Sequence, residues 1–115
     1  MIQVKRVYEQ PAGSDGFRVL VERLWPRGIS RERAHLDLWL KEVSPSPELR
    51  KWYAHDLEKW DEFQKRYRAE LEGAPAAVEQ LRQAGRRGVL TLVYAAHDEQ
   101  HNSALVLKAF LDQSS

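Results

Sequence analysis

Hydrophobic and polar positions alternate from the first residues of the chain. Ile2, Val4, Arg6 and Tyr8 interleave with Gln3, Lys5 and Val7, a period of two that predicts a half-buried first strand. The stretch from Pro11 to Gly16 interrupts it, and Phe17 to Leu24, rich in Val and Leu, predicts a second strand. That strand runs into Trp25-Pro26-Arg27-Gly28, where proline and glycine impose a turn. Leu36, Leu38 and Leu40 alternate with Asp37, Trp39 and Lys41, which favours a short strand, although Leu36, Trp39, Leu40 and Val43 also mark one face of a helix.

Further on, the period changes from two to three and four. Ser46 stands ready to cap a helix with Pro47 at its first position, so a short helix is predicted over Glu48 to Tyr53. His55-Asp56 interrupts the pattern. From Leu57, the residues Trp60, Phe63, Tyr67 and Leu71 form one apolar face, and Glu58, Asp61, Glu62, Lys65 and Arg66 face water. Asp56 is placed to cap this helix, Asp61–Lys65 and Glu62–Arg66 have acid-before-base spacing, and Gly73 is placed to end it. Pro75 opens another helix, with Val78 and Leu81 inward and Gly85 expected to close it.

Val89 to Tyr94 is an unbroken run of β-favouring residues, as expected of a strand covered on both faces. Asp98 is then expected to cap a final helix that turns Ala104, Leu107 and Leu111 inward. These elements predict one α/β domain over residues 1–115. Its small mixed or mostly parallel sheet, about three to four strands covered by helices, has 89–94 as its central strand.

Composition narrows the choices. Eighteen basic and 17 acidic residues leave a net charge of +1, interspersed along the chain, which disfavours nucleic acid and anionic membranes as partners. Cysteine is absent, so disulfides, thiolate nucleophiles and cysteine-bound metals are excluded. The N-terminus lacks the charged head and apolar run of a secretory signal, and no window reaches the roughly 18 apolar residues of a membrane span. The expected location is cytoplasmic, in a bacterium; whether the chain forms a homo-oligomer is left open.

A parallel sheet offers ligands the crevice beyond the carboxyl ends of its strands, beside helix N-termini. Asp98, His101 and Asn102 fall there after the 89–94 strand, where a carboxylate or phosphate would be favoured. The plain alternative is that Asp98 only caps a helix and the histidines are solvated. Arg23 and Arg27 bracket Trp25 at the end of the second strand and suit two-point recognition of an anion; equally, one Arg could pair with a carboxylate and Trp25 could plug the sheet end. Lys41, Arg50 and His55 are expected at the rim, with Trp39 and Trp52 nearby for stacking, whereas Trp60 is expected in the core. His101 is the first candidate for proton transfer, and His97 and Tyr94 are secondary ones. His97 and His101 are four apart, but His97 precedes the helix and no third ligand stands near, so no metal is expected. No glycine-rich phosphate loop, nucleophile elbow or paired carboxylates occur, and no motif specifies a cofactor. The leading expectation is a pocket for a small anionic metabolite. Its rival is an interaction or regulatory module that binds nucleic acid or protein through Arg82, Arg86, Arg87 and the tryptophan-rich surface.

The strings Arg23-Leu24-Trp25-Pro26-Arg27-Gly28, Leu38-Trp39-Leu40-Lys41, Leu49-Arg50-Lys51-Trp52, His55-Asp56 and His101-Asn102 resemble the YeaO-like branch of the bacterial domain of unknown function 488. The likeness extends from Val4 to Leu111. It implies a compact bacterial α/β protein with no established activity. The wider superfamily tends to carry cysteine and glutamate at the end of the last strand and Cys-His-Arg entering the helix. Here Tyr94, Ala96 and His101-Asn102-Ser103 stand around those places, so a thiol-dependent role is closed.

Overall fold

In the computed structural model, which describes residues 1–113, four strands form one parallel sheet. They are β1 (Ile2–Arg6), β2 (Phe17–Leu20), β3 (Leu38–Trp39) and β4 (Leu90–Tyr94), in the spatial order β1-β4-β2-β3. β4 is central, as its composition predicts, and Leu92 stands opposite Val4 on one side and Val19 on the other. All five of its residues are buried because both faces are covered. Leu90, Leu92 and Tyr94 join the main core with Val19 and Val21. Val93 joins a smaller core with Val7, Leu20, Ile29 and Ala34 on the opposite face. The one polar residue of β4, Thr91, accepts from the Gln3 amide at 2.9 Å and donates to the Asp15 carbonyl at 2.7 Å.

Five helices cover the sheet: α1 (Arg31–Ala34), α2 (Pro47–Tyr53), α3 (Trp60–Glu72), α4 (Pro75–Arg87) and α5 (Ser103–Gln113). Ser46 caps α2 by accepting the Leu49 N–H at 3.1 Å, with Pro47 in the first turn as expected. Phe63, Tyr67 and Leu71 of α3 are buried. The Tyr67 hydroxyl donates to the Val43 carbonyl, and burial pushes its pKa well above the usual tyrosine range. Among the described residues, no helix is long and apolar enough to cross a membrane.

Several boundaries differ from expectation, each for a local reason. β2 ends at Leu20, not Leu24: Val21 still donates to the Val93 carbonyl at 3.1 Å, but Glu22 then bonds through its carbonyl to the Trp39 indole, outside the strand ladder. Asp56 caps a single tight turn, Leu57–Lys59, and α3 begins only after it. Gly85 does not close α4, which runs on to Arg87. A side chain at Gly85 would stand 3.2 Å from Ile2 Cγ1, so the glycine admits β1 against the helix. Asp98 does not cap α5; that role falls to Asn102, whose amide oxygen accepts the Leu105 N–H at 2.9 Å. The short α1 was not expected; its cap is Ser30, which accepts from Arg33 N–H at 3.0 Å.

One polar cluster is internal. Asp15 and Arg18 are 2% and 3% exposed, and Arg18 Nη1 donates to Asp15 Oδ2 at 2.6 Å. Arg18 Nε and Nη2 donate to the carbonyls of His35 and Ala34, and Lys5 Nζ reaches Asp15 at 3.1 Å. Next to this cluster, Gly16 adopts φ +63, and a Cβ there would stand 2.4 Å from the Val89 carbonyl oxygen.

Candidate functional site

β2 and β4 lie side by side, but the chain leaves them toward opposite faces of the sheet. After β2 it passes to α1, whose Ala34 belongs to the smaller core; after β4 it passes to α5, which packs on β1 and belongs to the main core. Such a divergence opens a crevice beyond the carboxyl ends of the two strands. A cavity of about 710 Å³ occupies it.

Its walls come from five segments, α3 among them. Glu22 and Arg23 follow β2, Ala95 and Ala96 follow β4, His101 and Asn102 precede α5, and Arg50, Tyr53 and His55 come from the end of α2. The side facing α3 is aromatic. Tyr53 and Phe63 have ring centroids 4.5 Å apart, Trp60 stacks on Phe63 at 5.6 Å, and His101 meets the Trp60 ring edge-on at 5.3 Å.

The charged groups line the same hollow. Glu22 accepts the Ala95 N–H at 3.0 Å through Oε2, so the side chain replaces a ladder bond where β4 leaves the sheet. Burial pushes the Glu22 carboxyl up, partly offset by that N–H and by the Arg50 charge. Arg23 reaches the carbonyls of Ser44 and Pro45 only at 3.4 Å, near the limit of a hydrogen bond. Among the described residues, the exposed Arg50 guanidinium has no hydrogen-bond or ion-pair partner. His101 Nδ1 lies 3.0 Å from Asp98 Oδ2, and the N–H groups of Gln100 and His101 hold the exposed Asp98 carboxyl low. Burial pushes the Tyr53 hydroxyl up, with Asp98 and Asp56 adding to the effect.

Of the residues singled out from the sequence, Arg23, Arg50, His55, His101 and Asn102 line this crevice. Asn102 does so with its amide engaged, donating to the Asp98 carbonyl at 3.0 Å as well as capping α5. The others stand elsewhere. Arg27 is exposed, and its carbonyl accepts from the Tyr8 hydroxyl at 2.9 Å. Trp25 donates to the Ile29 carbonyl and meets Trp39 edge-on at 5.4 Å; Lys41 lies over Trp39 at 4.2 Å. Asp98 is not in the crevice wall and touches it through His101 and Asn102. Tyr94 is buried, and His97 Nδ1 is 3.3 Å from Arg6 Nη2. Trp52 lies under Arg66, and Arg86 of α4 pairs with Glu79 at 3.1 Å. Trp60, expected in the core, packs half-buried against the main core and also forms part of the crevice wall.

Glu22 and Tyr53 were not singled out. The signal for Glu22 is a carboxylate directly after Val19-Leu20-Val21, where a solvated residue would not be expected.

A second hollow of about 590 Å³ lies over the Arg18 cluster, between Tyr8, Pro11, Arg33 and Asp37. There Arg18 is already committed to Asp15 and two carbonyls. Among the described residues, no group of three or more His, Asp or Glu side chains gathers to hold a metal.

The family profile described as the inactive DUF488-N3 subclade matches residues 1–115. An uncharacterized protein of Mycobacterium tuberculosis (strain ATCC 25618 / H37Rv) is 43% identical over 111 residues, covering 96% of this chain and 93% of that protein. The uncharacterized protein YeaO of Escherichia coli (strain K12) is 43% identical over 110 residues, covering 96% of each. No solved structure matches the chain.

Proposed function

This chain belongs to the inactive DUF488-N3 subclade, and we propose that it binds a small anionic ligand with a flat apolar body in the crevice between β2 and β4, without chemically transforming it. The observation that carries this reading is Arg50, a guanidinium without a hydrogen-bond or ion-pair partner among the described residues, at the mouth of an aromatic-walled cavity. Arg23, weakly held by two carbonyls, supplies the second point of a clamp on a carboxylate or phosphate. Trp60, Phe63 and Tyr53 supply the surface for the apolar body.

The description of the subclade as inactive agrees with the side chains present. No cysteine is available. Of the serines in the crevice wall, Ser44 donates its hydroxyl to the Lys41 carbonyl at 2.6 Å, and among the described residues no hydrogen bond joins Ser44 or Ser103 to a histidine or carboxylate that could act as its base.

Thermal shift with benzoate and phenyl phosphate tests the reading. A ligand at 100 times its Kd stabilises by about 2.7 kcal/mol, so a rise in Tm is expected that disappears in Arg50→Ala and shrinks in Arg23→Ala. No rise with either anion, or a rise untouched by Arg50→Ala, would rule the site out.

A further inference from the structure

A pocket for a simple anion has no use for a carboxylate in its wall, yet Glu22 lines the same crevice as Arg23 and Arg50. Opposite charges in reach of one another usually close into an ion pair. Here none of the ion pairs among the described residues joins Glu22 to either arginine. Glu22 is also only half engaged: Oε2 takes the Ala95 N–H, while Oε1 accepts no hydrogen bond from the described residues. A carboxylate has about four acceptor sites. The crevice therefore presents an open pair of charges, a carboxylate fixed on the sheet and guanidinium groups from the β2 end and α2, beside an aromatic wall.

Building on the anion-binding reading, we propose that the ligand is a zwitterion, an α-amino acid with a flat apolar side chain. Its ammonium bonds Glu22 Oε1, its carboxylate meets Arg23 and Arg50, and its side chain lies against Trp60 and Phe63. In this arrangement the ligand closes the pair that the protein leaves open. An ammonium between the two also removes the repulsion that Glu22 would exert on a bare carboxylate. The volume of about 710 Å³ accommodates such a molecule with its side chain inside.

Three probes separate the contributions: L-phenylalanine, 3-phenylpropionate, which lacks the ammonium, and 2-phenylethylamine, which lacks the carboxylate. Titration calorimetry on the full chain at neutral pH should show L-phenylalanine binding about tenfold or more tightly than either of the others, the effect of one charge-assisted hydrogen bond. In Glu22→Gln, which keeps an acceptor for the Ala95 N–H, the preference over 3-phenylpropionate should vanish while that over 2-phenylethylamine persists, and 3-phenylpropionate should bind more tightly than to the native chain. The comparison of ligands on the native chain stands whether or not the variant folds. If 3-phenylpropionate binds as well as L-phenylalanine, the zwitterion is refuted and the anion site survives. If none of the three binds while benzoate or phenyl phosphate does, the same conclusion holds. If L-phenylalanine, its two analogues, benzoate and phenyl phosphate all fail to bind, both readings fall.

Discussion

Replacing Asp15 by asparagine removes one charge from the interior and almost no volume. In the native chain the Asp15 carboxylate accepts from Arg18 at 2.6 Å, from Lys5 at 3.1 Å and from the Ala12 N–H at 3.0 Å. Asparagine can keep the Ala12 bond through its amide oxygen, but it leaves the 3%-exposed Arg18 without a counter-charge. Breaking a buried pair from one side costs about 3–5 kcal/mol. At roughly 4 °C per kcal/mol for a chain of this size, Tm should fall by roughly 12–20 °C.

The pH dependence adds a second check. Burial pushes the Asp15 carboxyl up, but the Ala12 N–H, Lys5 and Arg18 together more than offset this and hold it below its ordinary value of 3.8. Because the folded pKa is the lower one, the stabilisation is present in full above the unfolded value and is lost as pH falls through the folded value. Urea unfolding of the native chain and Asp15→Asn between pH 7 and pH 2 should show two curves far apart at neutrality that converge below about pH 4. A neutral-pH difference under about 1 kcal/mol, or a gap that persists unchanged into acid, would refute the assignment of this cluster as a buried ion pair.

Three further substitutions, at two positions, test the fold that carries the site. Asn102→Ala should cost about 1 kcal/mol or more in urea unfolding, since it deletes the α5 cap, and Asn102→Ser should recover part of that loss; equal stability of all three proteins would mean the amide does not cap. Gly16→Ala forces a side chain against the Val89 carbonyl in a left-handed backbone, so it should destabilise by more than about 1 kcal/mol; a neutral effect by thermal melting would contradict the close approach of these segments.

Where periodicity was long and unbroken, the sequence was a good guide. The run from Val89 to Tyr94 could be read as a central strand because only a doubly covered strand tolerates so many apolar neighbours. The 3.6-residue stripe of α3 likewise identified Phe63, Tyr67 and Leu71 as core. Ends were harder, since a cap depends on which oxygen wins a free N–H: Asp98 and Asn102 are both capping types, and only the packing of the loop selects Asn102. For the crevice, the sequence reading points to the end of the sheet where the cavity lies, and five of the residues it names line that cavity. It did not show that Arg27 turns away from Arg23 or that Glu22 turns in, because a two-residue offset beyond a strand end obeys no periodic rule once the ladder stops.

The outer lip of the crevice is set by main chain. Ala54 and His55 take consecutive left-handed conformations, φ 47 and 58, and the bend is held by Ala54 N–H to the Arg50 carbonyl at 3.0 Å and Asp56 N–H to the Tyr53 carbonyl at 2.9 Å. Neither bond uses a side chain. Glycine or asparagine would sit there with less strain, while β-branched residues would be penalised. The lip is thus a place where the protein can change the chemistry it shows to an incoming molecule, by exchanging the imidazole of His55, without redrawing the doorway itself.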